Sequence, residues 1–155
     1  MTFRLVQRLP DQTRAYFSGR GFKSDAVKII ADHCIFQTVF TNISSSEKKR
    51  VIDHDIRQWQ YYYKGKSFRM KPREEWKPFW QDHGVAQAQV VAFEWSLFPS
   101  KQIFKPGDYN WGMSVFKVPH GASFDLELNW KVDGKPQSAT MKNVTCAKDV
   151  YIPPQ

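Results

Sequence analysis

Three internal thioethers (Met70, Met113 and Met141) and four imidazoles (His33, His54, His83 and His120) are candidate metal ligands in this chain of 155 residues. Imidazole suits copper and zinc, and thioether selects Cu(I). Met113 and His120 flank one expected strand, and Met141 lies on a late one. A fold that brought His120, Met113 and Met141 together would make a copper site, and copper is the one cofactor the sequence suggests. The histidines lack the H-x-H or H-x-x-x-H spacing that a single strand or helix turn needs to present two ligands at once.

Other reactive groups are more isolated. His33-Cys34 places an imidazole beside a thiol, the pairing that activates a nucleophile. Neighbouring residues on a strand point to opposite faces, which separates the two. Asp53-His54-Asp55 resembles a ligand triplet, but the same alternation puts the acids together and the histidine opposite. Glu94, on an expected strand, would serve as a general acid or as the structural partner of Arg57 or Lys117. There is no G-x-S-x-G, phosphate-binding glycine loop, H-E-x-x-H or C-x-x-C. The expectation is therefore a protein that is not an enzyme.

A binding surface has more support. Residues 48–77 hold ten Lys or Arg against four Asp or Glu. Aromatic residues interleave with them: Trp59, Tyr61 and Tyr63 lead into Lys64, Lys66, Arg69 and Arg73, and Trp76 and Trp80 follow. Rings stack on flat ligands and cations neutralise anions. Trp, Tyr and Arg are also the usual anchors of protein interfaces. The net charge of +8 adds a general attraction to anionic partners. A protein or polyanionic partner is expected, with nucleic acid as the alternative. The competing structural reading buries these rings beneath a charged loop.

The two cysteines bear on location. Cys34 opens the first strong strand and Cys146 closes the last, so adjacent terminal strands would bring them into a disulfide. Such a bond points to an oxidising compartment, periplasmic or secreted, with the cytoplasm as the alternative. The first ten residues contain no apolar run of a leader. No transmembrane segment is expected.

The elements that must hold these groups read as follows. Pro10 to Phe17 and Ser24 to His33 are amphipathic helices, the second with Ser24 as its cap and Asp25 in its first turn. Residues 1–33 thus form a helical N-terminal segment packed on a sheet. Cys34 to Phe40 is apolar on both faces and reads as a central strand. Val51 to Tyr63 alternates Ile52, His54 and Ile56 against Asp53, Asp55 and Arg57. Pro72 would open a short helix that Pro78 limits or kinks. Gln89 to Phe98 is assigned as a strand, with Val91, Phe93, Trp95 and Leu97 on one face. Tyr109 to Val118 is another. Phe124 to Lys131 alternates cleanly, and Asp133-Gly134 turns it back into Gln137 to Cys146. Residues 151–155 form a tail.

The whole is one mostly-β domain over residues 1–155, an antiparallel β-sandwich of immunoglobulin-like or cupredoxin-like shape with one or two short N-terminal helices. The functional expectation is a non-catalytic exported module that binds another macromolecule.

Overall fold

The computed structural model describes residues 1–150, so the expected tail at 151–155 lies outside the described residues. Strand content of 40% against 27% helix makes the fold mostly β. The elements in chain order are β1 (Thr2–Gln7), α1 (Pro10–Ser18), α2 (Ser24–Ala31), β2 (Cys34–Thr41), β3 (Ile52–Asp55), β4 (Gln60–Tyr63), β5 (Lys66–Arg69), α3 (Arg73–Asp82), α4 (Gln87–Ser96), β6 (Lys101–Phe104), β7 (Tyr109–Phe116), β8 (Ser123–Val132) and β9 (Lys135–Thr145). They build two antiparallel sheets, one in the order β1-β2-β7 and one in the order β5-β4-β8-β3-β6, with β9 on β8.

The larger sheet is organised by β8. Phe124, Leu126 and Leu128 are buried and alternate with half-buried Asp125, Glu127 and Asn129, as expected. One edge of β8 carries β9, joined by a turn in which Asp133 and Gly134 both have positive φ (49° and 79°). That is the twist a two-residue hairpin needs. The other edge carries β4 and β3 end to end. The expected single strand from Val51 to Tyr63 breaks at a 3₁₀ turn, Ile56–Gln58, where Asp55 accepts from the Arg57 backbone N–H. Asn129 bridges the break by donating to the Gln58 carbonyl at 2.8 Å. The alternation survives it: Ile52, His54 and Ile56 are buried, while Asp53 and Asp55 are half-buried and Arg57 is exposed.

The smaller sheet lies between two cores. One face of β2 and β7 supplies Cys34, Phe36, Phe40 and Phe116 to a cluster shared with Ile52, Tyr61, Phe104, Leu126 and Leu128 of the larger sheet. Its rings meet edge to face, as Phe36–Phe116 and Tyr61–Phe116 do at 5.9 and 5.3 Å, the arrangement their quadrupoles favour. The opposite face supplies Ile35 and Met113 to a second cluster with Phe17, Ile30, Trp76, Trp80 and Phe93 from the helices. The two-faced apolar run of β2 is thus accounted for.

Three expectations change. Residues 1–33 are not wholly helical, because β1 pairs with β2 from Thr2↔Thr41 to Gln7↔Phe36. Helix α2 begins with Ser24 as its first residue and Lys23 at the cap position, without a side-chain cap. Most importantly, Gln87–Ser96 is a helix rather than a strand. Val90, Phe93 and Leu97 are buried, a spacing of three and four that follows a helix face, while Val91 and Trp95 are exposed. Helix α3 contains Pro78 and continues to Asp82. The two expected N-terminal helices are α1 and α2, and with α3 and α4 they cover the outer face of the smaller sheet.

Cys34 and Cys146 form a disulfide with Cα atoms 5.6 Å apart at a sequence separation of 112. Closing so long a loop removes freedom from the unfolded chain and stabilises by roughly 4–5 kcal/mol in the entropy model. Reduction is expected to lower unfolding stability by about 2–5 kcal/mol. Denaturant titration with and without reductant checks this, alongside the mass after alkylation. Two thiols that alkylate without reductant would contradict the bridge.

Candidate functional site

The expected aromatic-basic surface separates into its two components. Trp59 and Tyr61 are 1% and 4% exposed in the inter-sheet core, and Trp76 and Trp80 are 3% and 0% exposed in the helix core. Their rings stabilise the interior and are closed to a ligand, which corrects the expectation that they line a contact surface. Strand alternation turns Tyr61 inward. In α3, Trp76 and Trp80 stand one helical turn apart on the same buried face. The cations stay outside: Lys64, Lys66 and Arg69 are exposed and Tyr63 is half-buried on the β4–β5 hairpin. Arg73 turns away to donate to the Leu97 carbonyl at 2.7 Å.

The metal candidates lie apart. Met113 packs in the helix-side cluster, and Met141 packs against the inter-sheet cluster. His120 fastens two segments, with Nε2 at 2.7 Å from the Ala31 carbonyl oxygen and Nδ1 at 3.2 Å from that of Ala147. His120, Met113 and Met141 are thus not brought together. Among the described residues no group of three or more His, Cys, Asp or Glu is placed to hold a metal. The Cys34 sulfur is engaged by Cys146, which removes the His33-Cys34 nucleophile. Arg57 bonds Asp55 and Glu74 at 3.3 and 3.1 Å, so it is not the partner of Glu94.

Among the described residues the most exposed aromatic side chains are elsewhere. Trp95, Tyr109 and Trp111 are 77%, 66% and 62% exposed. Their position follows from the register of the smaller sheet. Its outer face runs through the cross-strand rows Val6–Gln37–Met113, Arg4–Val39–Trp111 and Thr2–Thr41–Tyr109. The helices cover Met113 and stop there, which leaves the last two rows open. Gly112 lets the end of α4 approach: a Cβ at that position would overlap the Phe98 backbone nitrogen, and the Phe98 N–H donates to the Met113 carbonyl at 2.9 Å. Trp95 and Trp111 are thereby brought to the two sides of one step.

At that step lies a cleft of about 330 Å³. Trp95, Ser96 and Tyr16 form the helix side, and Trp111, Gln37 and Arg8 the sheet side. Tyr16 Oη and Ser96 Oγ are 2.9 Å apart, and Ser96 donates to the Ala92 carbonyl at 2.8 Å. The Arg73 guanidinium sits 5.5 Å from the Trp95 ring and buttresses it. Arg8 donates from Nη2 to Gln37 Oε1 at 3.2 Å, while its Nε is buried without a partner.

No family model matches the chain, and neither does a curated protein or a solved structure.

A second cleft, of about 360 Å³, is lined by Asp53, Asp55, Lys101, Lys131 and Trp130. Its acids and cations balance, and Asp55 is already engaged by Arg57. The Trp95–Trp111 cleft differs in having no acid in its lining. Sequence reasoning missed it because Trp95 falls on one strand face with Val91, Phe93 and Leu97 when the segment is read as a strand. The open signal was the period of three and four in Val90, Phe93 and Leu97, which leaves Trp95 outside.

His54 supplies a test of the core beneath this sheet. It is 0% exposed among Phe40, Trp59 and Phe98, and its Nε2–H donates to the Pro99 carbonyl at 3.0 Å. Nδ1 is buried without a partner. Burial disfavours the charged ring and holds its pKa below the ordinary value, and the same cause lowers that of His33. The unfolded chain then binds more protons below a pH of about 6.5, so stability falls as pH falls through that value. Melting temperatures are expected to decline from pH 7.5 to 5.5, with a shallower decline in His54→Phe. Equal slopes in the two proteins would refute the assignment.

Proposed function

We propose that this protein is a non-catalytic, exported module that binds a polyanionic macromolecule through the open outer face of its smaller sheet. The observation that carries the reading is the exposure of Trp95, Tyr109 and Trp111 along one edge of that face, beside Arg4 and Arg8. Large exposed rings on a folded surface mark contact sites more often than solvated decoration. An exposed indole gives area and stacking at little cost in side-chain freedom. The cations of the β4–β5 hairpin contribute a broader field that attracts the partner.

Export is supported by the Cys34–Cys146 disulfide, since such bonds persist in oxidising compartments. No helix among the described residues is long and apolar enough to cross a membrane. Copper handling has less support, because the proposed ligands belong to different cores.

The test is affinity electrophoresis of the oxidised protein through gels containing polygalacturonate, hyaluronan, heparin or neutral dextran, with oligo(dT) as the nucleic-acid comparison. Retardation by at least one polyanion, but not by dextran, is expected. Trp95→Ala and Trp111→Ala should each weaken it about tenfold, in keeping with roughly 1–3 kcal/mol per stacked ring, at unchanged melting temperature. Lys66→Gln should mainly reduce the salt dependence. Retardation unaffected by either tryptophan change would place the contact face elsewhere.

A further inference from the structure

We infer that the cleft between Trp95 and Trp111 binds a uronic-acid residue of an acidic oligosaccharide, with Arg8 receiving its carboxylate. This rests on the reading of the outer sheet face as the contact surface, and adds the ligand's chemical class.

Arg8 is the one charged residue in the lining of the cleft. Its Nη2 donates to Gln37 Oε1 at 3.2 Å, and its Nε is out of solvent with nothing to donate to. Among the described residues no carboxylate lies within ion-pair distance of it, whereas Arg57 has two and Arg69 has one. Arg8 lines the cleft with a guanidinium that no acid in the lining neutralises, so an anion bound there would supply its counter-charge. The fork of N–H donors matches the two oxygens of a carboxylate.

The walls add the second half of the ligand. Trp95 and Trp111, 77% and 62% exposed, line the two sides of the cleft. The C–H face of a pyranose ring is apolar and flat enough to lie on an indole, while its hydroxyls point outward around the rim. Partners for those hydroxyls are in place. Ser96 spends its proton on the Ala92 carbonyl, so Tyr16 donates to Ser96 Oγ. The Tyr16 oxygen is left to accept from a sugar hydroxyl. The Gln37 oxygen is taken by Arg8, which leaves its amide nitrogen to donate. A volume of about 330 Å³ is at the lower end of small-ligand sites and suits one or two sugar rings of a longer chain.

A single-stranded nucleic acid also offers flat rings and negative charge. The glycan is favoured for two reasons. The disulfide points to a compartment outside the cytoplasm. The cleft itself offers one unpaired guanidinium rather than a track of cations along a phosphate backbone.

The test is isothermal titration calorimetry of the oxidised protein with tetragalacturonate, tetramannuronate and a hyaluronan tetrasaccharide, each compared with its methyl ester, and with oligo(dT). Esterification keeps the sugar ring and removes the charge. At least one acid form is expected to bind, with its ester at least tenfold weaker. Arg8→Gln should bind acid and ester equally, at the level of the ester. Should Arg8→Gln fold poorly, Gln37→Glu neutralises the guanidinium in place and should erase the same discrimination. Equal binding of acid and ester by the native protein overturns the carboxylate assignment. The broader contact-face reading then survives if Trp111→Ala still weakens both. Binding of oligo(dT) alone, lost in Trp111→Ala, overturns the glycan and keeps the face. No binding of any probe overturns both.

Discussion

The structure depends on the burial of β2 and β7 from both sides. Phe36, Phe40 and Phe116 on one face close the inter-sheet core, and Ile35 and Met113 on the other close the helix core. A strand buried on both faces cannot slip in register without driving apolar groups into water on one side and polar groups into a core on the other. The few polar side chains it carries inward are satisfied locally, as Thr38 and Ser114 are by each other at 2.6 Å. At the end of β2 the disulfide ties Cys34 to Cys146, just past the last strand of the larger sheet. The two sheets and the helix layer are therefore positioned by one pair of strands.

The same constraint creates the surface proposed as the contact face. The outer face of the smaller sheet is longer than the helix layer that covers it. Cover ends at Met113, and Trp111 and Tyr109 continue the same face into solvent. Gly112 allows the end of α4 to approach β7 closely, so the uncovered part begins as a sharp step. A cleft at such a step needs no separate loop to form it. Its walls are a helix end and a sheet face, both rigid elements, which favours a defined geometry for whatever stacks there.

Much of this was legible in the sequence. The β8–β9 hairpin was carried by strict alternation and Asp133-Gly134, two signals that agree. The central position of β2 was carried by apolar residues on both faces, and the disulfide by the places of Cys34 and Cys146 at strand ends. Helix α4 was not read correctly because Val91, Phe93, Trp95 and Leu97 alternate as a strand does, while Val90, Phe93 and Leu97 follow a helix. Periodicity does not choose between overlapping patterns in so short a run. That one assignment concealed Trp95. The aromatic-basic segment was misleading for a different reason. Composition records that rings and cations are neighbours in sequence, but alternation in β4 and the helical turn in α3 send the rings inward and leave the cations out.

The most direct measurement is hydroxyl-radical footprinting of the folded, oxidised protein, read tryptophan by tryptophan. The account predicts fast oxidation of Trp95 and Trp111 and strong protection of Trp59, Trp76 and Trp80. Protection of Trp95 and Trp111 together with rapid oxidation of Trp76 and Trp80 would contradict it. It would mean that the helix layer does not lie on the sheet as described, and that the contact face is on the basic segment instead.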